Sequence, residues 1–214
     1  MRRRLAATAL ASLLVVAGCS SSGTGDGDDG TKPTFGGGGA DSSGSTVAPA
    51  ELAAAKAAAG IADCPPAGAP ATGDATLPAT TLSCLGGGTP VDLSTLTGTP
   101  TVINLWASWC GPCRTELPVL ARAADAYGDD VRFIGIDYKD GDPDAAIELA
   151  RSAGVTYPLL ADPDEATKAD LKVVGLPQTI FVDAQGRMVA TERTAYDSYD
   201  DLTSAIRRHL GVTP

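Results

Sequence analysis

Apolar and polar positions along this chain alternate between two periods. Thr101-Val102-Ile103-Asn104-Leu105-Trp106 is a nearly unbroken apolar run and predicts a buried strand. Leu117, Leu120, Ala121, Ala124 and Tyr127 then recur at helical spacing, which predicts a helix from Pro112 to Tyr127 with a kink at Pro118. Val131 to Asp137 is a second central strand. Upstream, Ala79–Cys84 and Thr89–Leu93 flank Gly86-Gly87-Gly88 and read as a hairpin. Asp142-Pro143-Asp144 is a helix start, for a helix through about Ser152. Asp162-Pro163-Asp164-Glu165 repeats that signal for a shorter helix ending near Leu171. Gln178–Asp183 and Met188–Arg193 are strands around a turn at residues 184–187, and Asp197–Leu210 is a closing helix with Arg207, Arg208 and His209 in its last turn. This alternation predicts an α/β fold, a central sheet with helices on both faces.

The first 60 residues follow a different pattern. Arg2, Arg3 and Arg4 precede an apolar stretch, Leu5–Ala17, that is short for a bilayer span. It ends in Val16-Ala17-Gly18-Cys19, which resembles a bacterial lipobox. The resemblance implies a signal peptide over residues 1–18 and lipid on Cys19. An ordinary secretory signal and a retained N-terminal anchor are the alternatives. Each places the bulk of the chain outside the cytoplasm. Residues 19–60 read as a flexible tether, with Gly36-Gly37-Gly38-Gly39 in a Ser/Gly/Asp/Thr-rich stretch. Its roughly 30 least apolar residues have a reach on the order of 30 Å. Glu51–Ala59 is Ala-rich, and a helix of that length is marginal alone. The folded domain is expected over residues 61–214.

Charge narrows the partners. The chain has 16 basic and 26 acidic residues; loss of residues 1–18 leaves 13 basic residues and a formal charge of −13. A surface that acidic disfavours nucleic acid and anionic lipid. Attachment to a membrane then rests on the lipid itself, and stable anchoring takes more than one acyl chain.

The chemistry concentrates in Trp109-Cys110-Gly111-Pro112-Cys113, where a strand ends and a helix begins. A helix N-terminus stabilises a thiolate, and a thiolate attacks disulfides. Zinc needs two further ligands, yet Cys19, Cys64 and Cys84 have no second-knuckle spacing and His209 is the only histidine. With Cys19 assigned to lipid, two pairs remain. A Cys64–Cys84 bridge closes a loop of about 20 residues, worth roughly 3 kcal/mol in the chain-entropy description. The alternative is that Cys64 or Cys84 is a free thiol or a resolving partner.

Asn104-Leu105-Trp106-Ala107-Ser108-Trp109-Cys110-Gly111-Pro112-Cys113-Arg114-Thr115-Glu116-Leu117-Pro118 resembles the active-site segment of thioredoxin-like proteins. It is most similar to the membrane-tethered TlpA/ResA group of thiol-disulfide oxidoreductases. Gly175-Leu176-Pro177-Gln178-Thr179 resembles the second motif of that superfamily, a cis-proline facing the cysteines. The resemblance covers residues 75–212. It implies a thioredoxin-like fold with a mixed central sheet, an N-terminal hairpin and a strand-helix insertion within Asp137–Val174.

By the same resemblance, Cys110 is the exposed nucleophile and Cys113 the buried resolving cysteine. Gly111-Pro112 is the dipeptide of a reducing pair. Pro177 presents the backbone of Leu176 to an extended client segment, and Trp109 contacts clients. Asn104 stands where the best-known thioredoxins carry a buried Asp, and Asn takes no proton. Glu116, one turn from Cys113, matches a glutamate that tunes cysteine pKa in the ResA-like group. Glu116 is therefore expected to do the proton work; the other reading is a first-turn acid favoured by the helix dipole.

The function implied is an extracytoplasmic reductase of protein disulfides, with apocytochrome c cysteines as clients and an integral-membrane thiol protein as electron donor. No cofactor beyond the Cys110–Cys113 disulfide and no metal is expected. A general oxidase or isomerase is the alternative within the class. A metal-delivery lipoprotein and a structural lipoprotein with a dormant site are the alternatives outside it.

Overall fold

The structure is a computed structural model that describes residues 48–74 and 76–214; Cys19, the signal sequence and the first part of the tether lie outside the described residues. Among the described residues seven strands form one sheet: β1 (Thr81–Cys84), β2 (Val91–Asp92), β3 (Thr101–Trp106), β4 (Arg132–Tyr138), β5 (Leu159–Asp162), β6 (Gln178–Val182) and β7 (Met188–Glu192). Their spatial order is β2-β1-β5-β4-β3-β6-β7. The central trio β5-β4-β3 is parallel, and every other pairing is antiparallel, so the sheet is mixed. The apolar run of β3 is buried at all six positions because it is central in the sheet and covered on both sides.

Among the described residues four α-helices accompany the sheet: α1 (Pro49–Ala58), α2 (Gly111–Tyr127), α3 (Pro143–Ser152) and α4 (Tyr199–Leu210). Strand alternation divides the core in two. Val102, Trp106, Phe133 and Phe181 point into a cluster with Leu117 and Leu120 of α2, Ile147 of α3 and Leu202 and Ile206 of α4. Ile103, Leu105, Ile134, Ile136, Ile180 and Val182 point into the second cluster. There the cover comes from Leu77, the 3-10 turn at Leu93–Thr95, and Leu171 and Val173. α2 continues through Pro118, whose side chain is exposed.

Two expectations need correction. The segment after Asp162 is a run of turns where a helix ending near Leu171 was predicted. Asp162 ends β5, and its carboxylate accepts from the Ala166 and Thr167 amides at 2.7 and 3.0 Å. Glu165 and Lys172 take left-handed φ of 58° and 51°, which a helix excludes. The tether, placed over residues 19–60, does not extend that far. Leu52 and Ala55 of α1 pack against the helix-side cluster, and Lys56 is only 5% exposed. An Ala-rich helix that is marginal alone is thus held by tertiary contact.

Candidate active site

β3 delivers the chain to the N-terminus of α2 through the loop Ala107–Trp109. Cys110 is the N-cap residue: its amide donates to Ala107 O at 3.1 Å and its sulfur accepts from the Cys113 amide at 3.3 Å. Pro112 sits in the first turn, where its missing N–H costs nothing. Cys110 and Cys113 are joined as a disulfide with Cα atoms 5.3 Å apart. Gly111 and Pro112 are exposed, whereas Cys113 is fully buried. Cys110, expected to be exposed, is only 4% so in the oxidised pair, because its side chain is folded onto the first turn of α2.

Behind Cys113 on the same helix, Glu116 is completely buried. Tyr196 N donates to its Oε1 at 3.2 Å and Asn104 Nδ2 to its Oε2 at 3.1 Å. Asn104 Nδ2 also approaches Thr179 Oγ1 at 3.3 Å, across the β3–β6 register that pairs the two residues. Burial is the dominant influence and pushes the Glu116 pKa up to about 7, against the two hydrogen bonds, which favour the carboxylate. Asn104 and Glu116, separated by 12 residues in sequence, therefore form one buried polar unit.

A second buried acid has no counterpart in the sequence reading. Asp137, the β4 partner of Trp106, is 2% exposed. Burial, and then the neighbouring Asp140, push its pKa up to about 8. Asp140 accepts from the Ser108 amide at 2.6 Å and from the Asp142 amide at 3.1 Å. Trp109 Nε1 donates to Lys139 O at 3.0 Å, and Arg114 donates to Ser108 O at 2.6 Å. The loop that leads into Cys110 is thus fastened to the end of β4. The one available signal was an Asp inside the apolar run Phe133–Tyr138.

The Leu176–Pro177 peptide is cis, and Pro177 is buried at the entrance to β6. Leu176 is half-buried and packs on the cluster that contains both Cys110 and Cys113. Beside it a shallow groove of about 200 Å³ is lined by Trp109, Tyr138, Lys139, Glu165, Val174 and Leu176. Trp109 is 56% exposed and Val174 81%. Trp106, three residues earlier at the end of β3, is wholly buried. Cys64 and Cys84 lie elsewhere, bonded to each other with Cα atoms 6.0 Å apart. Among the described residues, no group of three or more His, Cys, Asp or Glu side chains is arranged to hold a metal ion.

The profile of the Redoxin family matches residues 71–206, a span that runs from before the hairpin to the closing helix and includes both motifs. The chain belongs to the Redoxin family. Among curated relatives, this Redoxin chain is 42% identical over 91 residues to the thiol:disulfide interchange protein DsbE of Allochromatium vinosum, covering 42% of this chain and 49% of that one. It is 37% identical over 114 residues to the thiol:disulfide interchange protein HelX of Rhodobacter capsulatus, covering 52% and 62%. The chain thus spans about half to three-fifths of the length of these relatives. Two solved structures share its fold. A secreted Mycobacterium tuberculosis disulfide oxidoreductase homologous to Escherichia coli DsbE matches with a TM-score of 0.54 at 29% identity, over 61% of this chain and 96% of that one. A DsbF homologue from Corynebacterium diphtheriae matches at 0.54 and 26%, over 69% and 99%. The mixed sheet expected from the thioredoxin-like motifs is therefore the fold of this Redoxin chain.

Proposed function

We propose that this protein is an extracytoplasmic thiol-disulfide oxidoreductase that reduces disulfides in client proteins through Cys110 and Cys113. The observation that carries the reading is the Cys110–Cys113 disulfide at the N-cap of α2, on the same helix as the buried Glu116 that binds Asn104. In the reduced enzyme the Cys110 thiolate attacks one client sulfur. The client's S–S bond breaks, and the released client thiolate takes a proton. Cys113 loses its proton and attacks Cys110 Sγ in the mixed disulfide. The second client sulfur departs as a thiol, and the enzyme pair is left oxidised by two electrons. Glu116, three residues after Cys113 on α2, is the group proposed to take the Cys113 proton; its burial and a pKa pushed up to about 7 support the role, because such a carboxyl changes charge at working pH.

The backbone of Leu176, beside Pro177, is proposed to pair with an extended client segment, with the adjoining Trp109–Val174 groove taking its side chains. Gly111 and Pro112 form the exposed turn across which the client sulfur approaches. Relatives named thiol:disulfide interchange proteins support protein thiols and disulfides as the substrate class; within it, apocytochrome c cysteines are the proposed clients and an integral-membrane thiol protein the proposed electron donor, as the resemblance of the two motifs implies. Lipid on Cys19 is the proposed anchor; no described helix is long and apolar enough to cross a membrane.

The test is the reduction potential of the Cys110–Cys113 pair, combined with turnover of insulin disulfides. A value near or below thioredoxin's, about −270 mV, together with turnover supports the reductase. A value near about −120 mV makes the protein an oxidant and overturns the direction proposed. Absence of exchange in the Cys110→Ser variant alone assigns the nucleophile.

A further inference from the structure

The Cys64–Cys84 bridge carries an unusual neighbour. Lys56 of α1 is 5% exposed, and its ammonium has three protons and three partners: Asp63 Oδ1 at 3.0 Å, Gly87 O at 3.0 Å and Cys84 Sγ at 3.3 Å. A buried cation needs partners, and a divalent sulfur already committed to a disulfide is the weakest acceptor of the three. The contact becomes strong only when Cys84 is a thiolate, because the bond is then charge-assisted from both sides. The surrounding residues enforce the approach. A Cβ on Gly86 would lie 2.8 Å from Lys56 Cβ, and one on Gly88 would lie 3.3 Å from Cys84 Sγ. The Gly86–Gly88 loop thus lets the lysine and the sulfur meet. An open cleft of about 560 Å³, lined by Ala53, Lys56, Ile61, Asp63 and Gly87 among others, adjoins the ammonium.

We infer that Cys64–Cys84 is a second exchangeable disulfide, with Cys64 the sulfur that is attacked and Cys84 the leaving group. A thiolate from a low-molecular-mass thiol attacks Cys64 Sγ, the more exposed cysteine at 8% against 5%. The Cys64–Cys84 bond breaks, a mixed disulfide forms on Cys64, and the Cys84 thiolate is held by Lys56. A second thiolate attacks the small-molecule sulfur of that mixed disulfide. Cys64 leaves as a thiolate and takes a proton from solvent. Two electrons have then passed to the protein, and the small thiol has become its disulfide. Leaving-group stabilisation accelerates the first step, and thiolate stabilisation shifts the equilibrium toward the dithiol.

The experiment uses the mature chain carrying Cys110→Ser and Cys113→Ser, so that the remaining exchangeable bond is Cys64–Cys84. It is equilibrated with graded glutathione buffers, alkylated and weighed. In the presence of Lys56 the reduced fraction corresponds to an equilibrium constant about tenfold above that of Lys56→Met, or about 30 mV for this two-electron couple. Lys56→Arg retains most of the difference. Peptide mapping of acid-quenched samples places the glutathione adduct on Cys64. Equal constants in the Lys56 and Lys56→Met chains overturn the inference. So does an adduct found on Cys84, a result that needs no substitution at Lys56. Because insulin turnover depends on Cys110 and Cys113, either failure leaves the proposed function standing, and loss of that function leaves this site standing.

Discussion

Glu116→Gln isolates the buried acid from its shape. The amide matches the carboxyl in volume, and its oxygen can keep accepting from Tyr196 N. Its NH₂ would face Asn104 Nδ2, donor to donor, but Asn104 Oδ1 has no partner, so rotation of the Asn104 amide restores a bond. The substitution therefore removes a titration with little change in packing. The folded-state pKa is raised from 4.5 to about 7, so the fold binds this proton more tightly than the unfolded chain does. Below pH 4.5 both states are protonated and the group leaves stability unchanged. As pH rises from 4.5 towards 7 the unfolded chain ionises first and stability falls. The full shift corresponds to about 3 kcal/mol. Urea unfolding of the oxidised protein at pH 4, 5.5 and 8 measures it. Glu116→Gln should equal the parent at pH 4 and exceed it by about 3 kcal/mol at pH 8. Parallel pH profiles would refute the assignment of a raised pKa to Glu116. In the reduced enzyme, the same variant should lose the inflection near pH 7 in the alkylation rate of Cys113. An unchanged profile would remove Glu116 from the proton path.

Other perturbations follow from the same structure. Asp137→Asn keeps a donor towards Asp140 but removes an acid raised from 3.8 to about 8, so it should add about 4 kcal/mol of stability at pH 7 and almost none at pH 3; thermal melts at the two pH values check this. Gly86→Ala puts a Cβ 2.8 Å from Lys56 at φ +73° and should cost about 3 kcal/mol, while Gly87→Ala, at φ +94° with open space, should cost about 1 kcal/mol; equal losses in denaturant melts would contradict the close approach of α1.

How much of this was legible in the sequence depended on whether the signal was local. The strands from Thr101 and Val131, the capped helix after Asp142 and the cysteine pair are written in runs and spacings a few residues long. Asp162 looked like the same cap as Asp142, but its carboxylate binds amides four and five residues on, whereas Asp142 binds the amide three residues on. Residue type alone does not encode that difference. The Asn104–Glu116–Tyr196 unit needed the β3–α2 packing and the start of α4 to converge, so only the likeness of Glu116 to a relative's glutamate pointed to it. Lys56 was hidden for a simpler reason. An Ala-rich segment beside a Gly/Ser tether has no periodic apolar face, and its docking depends on three glycines 30 residues away.

The fastening at Asp140 bears on how this fold can be re-engineered. One carboxylate holds the amide of Ser108, in the cysteine loop, and the amide of Asp142, which caps α3. The α3–β5 insertion is therefore not an independent appendage that can be lengthened at will. Residues 138–141 form a fixed-length joint, where one added or deleted residue would displace Ser108 and, through it, the approach to Cys110. The link between α3 and β5, residues 153–158, carries no such bond to the cysteine loop. A designer seeking a graft point for a reporter should open the chain at exposed Gly154, ahead of the buried Val155 and Tyr157.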